Sequence, residues 1–157
     1  MIGADFAEPM LRAGRAKAPA RLLSPVVADA LTLPLADASC DGAIVAFGIR
    51  NVIDLPKAFH EILRVLRPGA RFVILEFTTP RSAVIRWTYR LYSQRVLPVI
   101  GALISGHPTA YRYLPDSIAQ FPDADKLEEI MRSAGIANVT CQWLTLGVAA
   151  IHVGEKR

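Results

Sequence analysis

Four polar side chains in this 157-residue chain stand where a parallel strand would end: Asp5, Asp29, Arg50 and Glu76. In an open α/β sheet, ligands bind outside the carboxyl ends of the strands, so these positions have first claim on chemistry. Asp5 follows a short apolar run and precedes a helical stretch. Its carboxylate could accept from both hydroxyls of a ribose, or cap the helix that follows. Asp29 lies in Ala28-Asp29-Ala30-Leu31-Thr32-Leu33-Pro34. A carboxylate there could accept from the exocyclic amine of an adenine while the small Ala30 admits a flat ring; the alternative is a turn residue serving local N–H groups. In Phe47-Gly48-Ile49-Arg50-Asn51, Gly48 allows close backbone approach or unusual dihedrals. Arg50 could stabilise a developing oxyanion or form a surface ion pair. Glu76 could orient Arg50 or a substrate hydroxyl, or be a solvated carboxylate.

The elements that must position these residues follow from periodicity. Short apolar runs alternate with amphipathic stretches in the first half, the pattern of strand–helix–strand units around a largely parallel sheet. Met1–Asp5 reads as the end of a strand, Glu8–Lys17 as a helix, and Leu22–Ala28, Asp41–Phe47 and Arg71–Phe77 as strands. Between the last two, Ala58, Phe59, Ile62 and Leu66 share one helical face, and Arg67-Pro68-Gly69 is predicted to end that helix. Val84, Trp87, Leu91 and Tyr92 recur at helical spacing, with Arg86 and Arg90 on the opposite face. A polar stretch from Ser105 to Ser117 carries Tyr111 and Tyr113. Asp125-Lys126-Leu127-Glu128 has the form of a capping box opening a helix that closes at Gly135. Ala137–Leu144 and Val148–Gly154, joined by Thr145-Leu146-Gly147, suit an antiparallel pair.

Composition narrows the classes. The chain is 52% hydrophobic and 20% charged, with mean hydropathy +0.31, and its length suits one domain over residues 1–157. No apolar run reaches the ~18 residues of a spanning helix, and no signal-peptide pattern opens the chain. Cys40 and Cys141 form no close motif and read as reduced cytosolic thiols. The net charge of +4 is dispersed rather than clustered with aromatics, which argues against nucleic acid. His60, His107 and His152 are scattered, and no metal spacing is present, so no metal is expected. His60 reads as surface, His107 as an acid–base candidate and His152 as a structural residue inside a strand. Neither a G-x-G-x-x-G dinucleotide fingerprint nor a phosphate loop is found.

Taken together, FGIRN, RVLRPGARFVILEF, YRLYSQRVLPVIG, YRYLPDSIAQFP and LTLGVAAIHVGEK resemble, in order and spacing, the quinone C-methyltransferases of ubiquinone and menaquinone biosynthesis. GADFAEPML and ADALTLPLADASCDGAIVAFGIRNV extend the resemblance over nearly the whole chain. It implies a Rossmann-like class I methyltransferase sheet, mostly parallel with an antiparallel terminal strand. It further implies S-adenosylmethionine as cofactor and methyl transfer to a ring carbon of a prenylated quinol, demethylmenaquinol or 2-polyprenyl-6-methoxy-1,4-benzoquinol. By the same resemblance, Asp5 would bind the ribose, Asp29 with Ala30 the adenine, and Ala46 would stand where relatives often have a cofactor-contacting Ser. Arg50 and Asn51 would face the quinol, with Phe47, Tyr111 and Tyr113 on the substrate side. The 81–121 region is then a substrate-side, membrane-facing insert. The implied location is cytoplasmic, peripheral at the inner face of the membrane, with a homo-oligomer as a further expectation and no nucleic-acid partner.

Two small departures from that family, Cys40 before Asp41 and Ala70 after Pro68-Gly69, leave the fold intact. A larger one lies at the front. The family's first strand and its glycine-rich D-x-x-x-G-x-G loop have no counterpart before Gly3-Ala4-Asp5-Phe6, so the fold reads as N-terminally truncated. A strand–crossover unit is ~30 residues or more, and its loss from the sheet centre would leave two inner edges unpaired. The alternative function is therefore a catalytically impaired remnant that binds a partner subunit of a quinone-synthesis assembly.

Overall fold

The computed structural model describes residues 1–17, 24–91, 95 and 117–157. Two hydrogen-bonded ladders organise them. The first is a parallel pair, β1 (Ile2–Asp5) and β2 (Ser24–Val27), in register from Ile2 opposite Ser24 to Asp5 opposite Val27. Between them runs α1 (Glu8–Lys17), with Glu8 in its first turn and Arg15 and Lys17 in its last, the charge order the helix dipole favours.

The second ladder has four strands in the order β3-β4-β6-β5: β3 (Cys40–Ala46), β4 (Leu66–Phe77), β5 (Ala137–Leu144) and β6 (Ala149–Glu155). β3 and β4 are parallel, while β6 runs antiparallel to both β4 and β5. The described residues also form the helices α2 (Leu55–Val65), α3 (Ala83–Leu91) and α4 (Ala124–Ser133). The strand types agree with an α/β fold carrying an antiparallel terminal hairpin. Among the described residues, however, no ladder joins β1 to β3. Among these residues, β1 and β3 each have one edge that carries no partner strand.

α2 forms where the sequence says it should. Asp54 caps it by accepting from the Lys57 amide at 2.9 Å, and Leu55, Ala58, Phe59, Ile62 and Val65 bury one stripe. Its end differs from the expectation. The helix stops at Val65, and Leu66 is already extended, before Pro68 and Gly69 are reached. Leu66 is fully buried, pairs with Cys40, and its carbonyl accepts from Lys156 Nζ at 2.8 Å, so sheet and core claim it ahead of the helix. The left-handed Gly69 (φ +78°) then sits inside β4, donating its amide to the Lys156 carbonyl. α4 also starts differently. Its cap is Asp123, which accepts from the Lys126 amide at 2.9 Å, in place of the Asp125 the capping-box pattern pointed to.

The core lies between α2, α4 and one face of the four-stranded sheet. Phe59, Leu66, Phe72, Ile74, Leu127 and Met131 are its largest fully buried apolar side chains, and Phe59 meets Phe72 edge-on with ring centroids 5.8 Å apart. On the opposite face Ile44 of β3 remains 72% exposed.

Two expected outcomes test this packing. A Cβ on Gly154 would lie 2.3 Å from Ile136 Cγ2 and 3.2 Å from the Ala137 carbonyl oxygen. G154A is expected to cost about 1–3 kcal/mol by overpacking, read from urea unfolding. His152, buried beneath α4 with Nε2 on the Ala124 carbonyl at 2.9 Å, has its pKa lowered chiefly by burial. The unfolded chain therefore takes up a proton below about pH 6.5 that the native state refuses. Stability is full above that pH and falls as pH drops through the lowered native value. H152Q should flatten this limb in urea melts at stepped pH, and an equally steep limb would overturn the assignment to His152.

Candidate functional site

Both sequence-flagged carboxylates of the first ladder stand at its carboxyl edge. Asp5 is the last residue of β1, and its Oδ1 accepts the Ala7 amide at 2.8 Å as the chain turns into α1. Asp29 lies two residues beyond β2, with Oδ1 on the Leu31 amide at 2.9 Å and its carbonyl on the Thr32 amide. Each thus serves its local turn with one carboxylate oxygen. Ala30, half-buried, offers no bulk beside Asp29. The loop beyond is clamped to α2: Leu33 donates its amide to Glu61 at 2.7 Å, and Arg64 donates to the carbonyls of Leu33 (2.9 Å) and Leu35 (2.8 Å). Arg64 also bonds Glu61, which lowers the Glu61 pKa.

At the carboxyl edge of the second ladder, Arg50 and Glu76 form a buried ion pair. Nη1 of Arg50 lies 2.8 Å from Oε1 of Glu76, with the two side chains 11% and 2% exposed. The local backbone builds it. β3 ends at Ala46, Phe47 takes a left-handed φ of 54°, and a 3-10 turn over Ile49–Asn51 brings Arg50 across the end of β4. The unusual dihedral thus falls on Phe47, whereas Gly48 has an ordinary φ of −122°. Arg50 further donates Nη1 to the Phe47 carbonyl and Nε to Ser117 Oγ at 3.4 Å, and lies 5.8 Å from the centroid of the Phe77 ring. Glu76 accepts the amides of Phe77 (2.9 Å) and Arg50 (3.3 Å). Of the Arg50 side-chain nitrogens, Nη2 alone has no acceptor among the described residues.

A carboxylate this close cancels the guanidinium's net charge, so toward any neighbouring oxyanion Arg50 would be an oriented donor rather than a free cation. A charge-assisted hydrogen bond of that kind contributes about 1.5–3 kcal/mol. Phe47, packed on Phe77 with centroids 4.6 Å apart and still 39% exposed, supplies an aromatic wall beside it. Ala46 and Asn51 are exposed on the same segment. Tyr111, Tyr113 and His107 lie outside the described residues, as does much of the 81–121 region. Phe77 and Ser117 are site neighbours that sequence reasoning did not single out. Phe77 was legible as the residue after Glu76 in a strand, whereas nothing in the sequence ties Ser117 to Arg50.

The residues present fit the nucleoside end of S-adenosylmethionine: two carboxylates close the ends of adjacent parallel strands, each with one oxygen committed to its turn, and a small residue follows the second. For the methionine end, the described residues between the free edges of β1 and β3 offer no glycine-rich loop.

Removing Glu76 strands a mostly buried guanidinium. E76A is expected to destabilise the chain by about 3–5 kcal/mol, with E76Q costing less because it keeps an acceptor for the Phe77 amide. Urea unfolding checks this, and an E76A cost below about 0.5 kcal/mol, an ordinary surface value, would remove the pair from the structural account.

Comparison with known proteins agrees with this geometry. A model of the ubiE/COQ5 methyltransferase family matches residues 1–156. The demethylmenaquinone methyltransferase of Thermus thermophilus is 50% identical over 158 residues, covering 99% of this chain and 71% of the relative. That of Deinococcus radiodurans is 45% identical, covering 100% and 66%. The ubiquinone/menaquinone biosynthesis C-methyltransferase UbiE of Geobacter sulfurreducens is 42% identical, covering 99% and 62%. The chain thus spans about two-thirds of the length of these relatives. Among solved structures, a SAM-dependent methyltransferase from Aquifex aeolicus superposes with a TM-score of 0.64 at 17% identity, covering 98% of this chain and 66% of that one. The [4+2]-cyclase SpnF does so at 0.71 and 16%, covering 99% and 66%. These two show the fold, Rossmann-like and of the class I methyltransferase type. With the family match spanning both carboxylate positions and the Arg50 segment, this chain belongs to the ubiE/COQ5 family of S-adenosylmethionine-dependent methyltransferases.

Proposed function

We propose that the chain acts in S-adenosylmethionine-dependent C-methylation of a prenylated quinol, with demethylmenaquinol as acceptor ahead of the polyprenyl benzoquinol. The observation that carries this is Arg50, fixed by Glu76 at the carboxyl edge of the sheet, with Nη2 lacking an acceptor among the described residues. Two of the relatives above bear the demethylmenaquinone name, which favours the naphthoquinol. Bound S-adenosylmethionine supplies an electrophilic methyl group on a sulfonium. Asp5 holds the ribose hydroxyls, and Asp29 with Ala30 holds the adenine. Arg50 steadies the quinol oxygen as it loses its proton, and that charge makes the ortho ring carbon nucleophilic. Attack forms the ring carbon–methyl bond as the methyl–sulfur bond breaks, leaving a neutral thioether; loss of the ring proton restores aromaticity. A guanidinium keeps its charge at every physiological pH, so the hydroxyl proton leaves to a base acting through water, and Arg50 contributes position and hydrogen bonding. Phe47 and Asn51 border the ring.

A bilayer substrate requires access from a membrane face. On α3, Val84, Trp87 and Leu91 are 72%, 66% and 41% exposed at positions i, i+3 and i+7, an apolar stripe open to a lipid interface with Arg86 on the other side. No helix among the described residues is long and apolar enough to cross a membrane, so contact through α3 would be peripheral.

One observation favours a second reading. Edges of β1 and β3 that carry no partner strand among the described residues suit a partner that supplies a strand, in which case this chain is the quinol-holding part of a larger assembly. Incubation with methyl-labelled S-adenosylmethionine and a reduced, short-tailed demethylmenaquinol tests both. Label transferred to the quinol ring by the chain alone, lowered about 10²–10³-fold by R50A and dependent on Asp5, is the expected result. Transfer only after a strand-bearing family fragment is added would assign the chain to the second reading. Label that never reaches the ring, from a chain with native circular dichroism, refutes the methyltransferase reading.

A further inference from the structure

A cleft of about 710 Å³ opens beside Arg50, between the start of α2 and the segment leading into α4. That volume lies within the ~300–1,000 Å³ of ordinary small-molecule sites. Its polar end is Arg50 itself. The rest of the wall joins apolar Val52, Ile53, Leu55, Pro56, Phe121 and Ile130 to polar Asp54, Ser117 and Gln120. A second depression of about 180 Å³ shares Pro56 and Ile130 with the first, but His60, Lys126, Glu129 and Ser133 line it with polar side chains. The first cleft alone is therefore a short groove with a hydrogen-bond donor and an apolar wall, a shape for a ligand with one polar head and a short apolar continuation.

Ile53 marks how that groove is used. It is 98% exposed on the short connection between the 3-10 turn and α2, the most exposed large apolar side chain described, and it stands on the rim of the cleft. Val52 beside it and Phe121 and Ile130 opposite are already half-buried and packed on the core. An aliphatic chain laid in the cleft would take Ile53 out of water without disturbing them.

We infer that this groove holds the proximal isoprene units of the quinol's tail, with the ring at Arg50 and Ile53 closing over the first units. The inference rests on the proposed quinol substrate and deepens it, because tail recognition is assigned to the α2–α4 groove and not to the α3 stripe. Tail binding here would also fix which ring edge faces Arg50, since the head cannot rotate freely about a chain held on one side.

The test compares two probes on the whole chain: a 1,4-naphthoquinone without a tail and the same ring with a two-isoprene tail, titrated by tryptophan-fluorescence quenching. The wild-type chain is expected to prefer the tailed probe by about tenfold or more, and I53D to erase most of that preference. Ile53 is too exposed for its replacement to unfold the chain. L146D, at another strongly exposed leucine (79%) outside the groove, should keep the wild-type ratio. Equal affinities for both probes, a ratio unchanged in I53D, or the same loss in L146D would each overturn the assignment. The labelled-methyl assay separates this failure from that of the methyltransferase reading: ring labelling without tail preference rejects only the groove, and tail preference without ring labelling rejects only the reaction.

Discussion

The hydrogen-bonding of β4 is the constraint on which most of this structure depends. It is the one strand of the larger ladder paired in parallel on one side, with β3, and antiparallel on the other, with β6. Its inward face supplies Phe72 and Ile74 to the core, and its carboxyl end delivers Glu76. Because both flanks are held, Glu76 is placed to within a hydrogen bond. The buried carboxylate in turn decides where Arg50 rests, through its side chain and through the Arg50 amide. A buried pair like this contributes little net stability against an apolar replacement. Its retention at a strand mouth is better understood as fixing a donor's direction.

That arrangement divides the labour of the site. Asp5 and Asp29, the residues proposed for the nucleoside end, are presented by short turns that their carboxylates also serve as acceptors. Arg50, proposed for the quinol end, is presented by a strained connection, with a non-glycine left-handed residue at Phe47 followed by a 3-10 turn. Such conformations persist where the surroundings over-determine them, and here the Phe47–Phe77 stack and the carbonyl of Phe47 bonding Arg50 do so. The groove leading away from Arg50 is formed by the junction of α2 with α4. On the proposed reading, ring and tail would be positioned by different parts of the fold, the ring by strand ends and the tail by helix packing.

Much of this was legible in the sequence because it is written in periodicity. The α2 stripe, the strands β1, β3 and β5, and the carboxyl-edge placement of Asp5, Asp29, Arg50 and Glu76 follow from alternation and helical spacing. What local pattern could not supply was decided by long-range packing. Pro68-Gly69 is a plausible helix stop, yet Leu66 is drawn into the sheet by its burial and by Lys156, from the far end of the chain. Asp123 outcompetes Asp125 as a cap because the helix begins where Ala124 and Leu127 must be buried. The left-handed residue in FGIRN falls on Phe47, since the stack on Phe77 holds it there and Gly48 is not required to bend. The Ser117 contact to Arg50 spans 67 positions and leaves no local trace.

The separation of the two ladders has a consequence for how the molecule comes apart. Cooperative unfolding depends on elements sharing contacts, and regions that share few open as separate units with their own free energies. β1, β2 and α1 form a small ladder joined in sequence, through the stretch that Arg64 clamps, to a body whose core they do not enter. Amide protons of β1 and β2 should therefore exchange through a cheaper opening than those of β4, leaving the Arg50 end folded while the Asp5 end is frayed. A ligand that bridges Asp5 and the body would raise the cost of that opening. Cofactor binding would then act as the cross-link that makes the two parts melt as one.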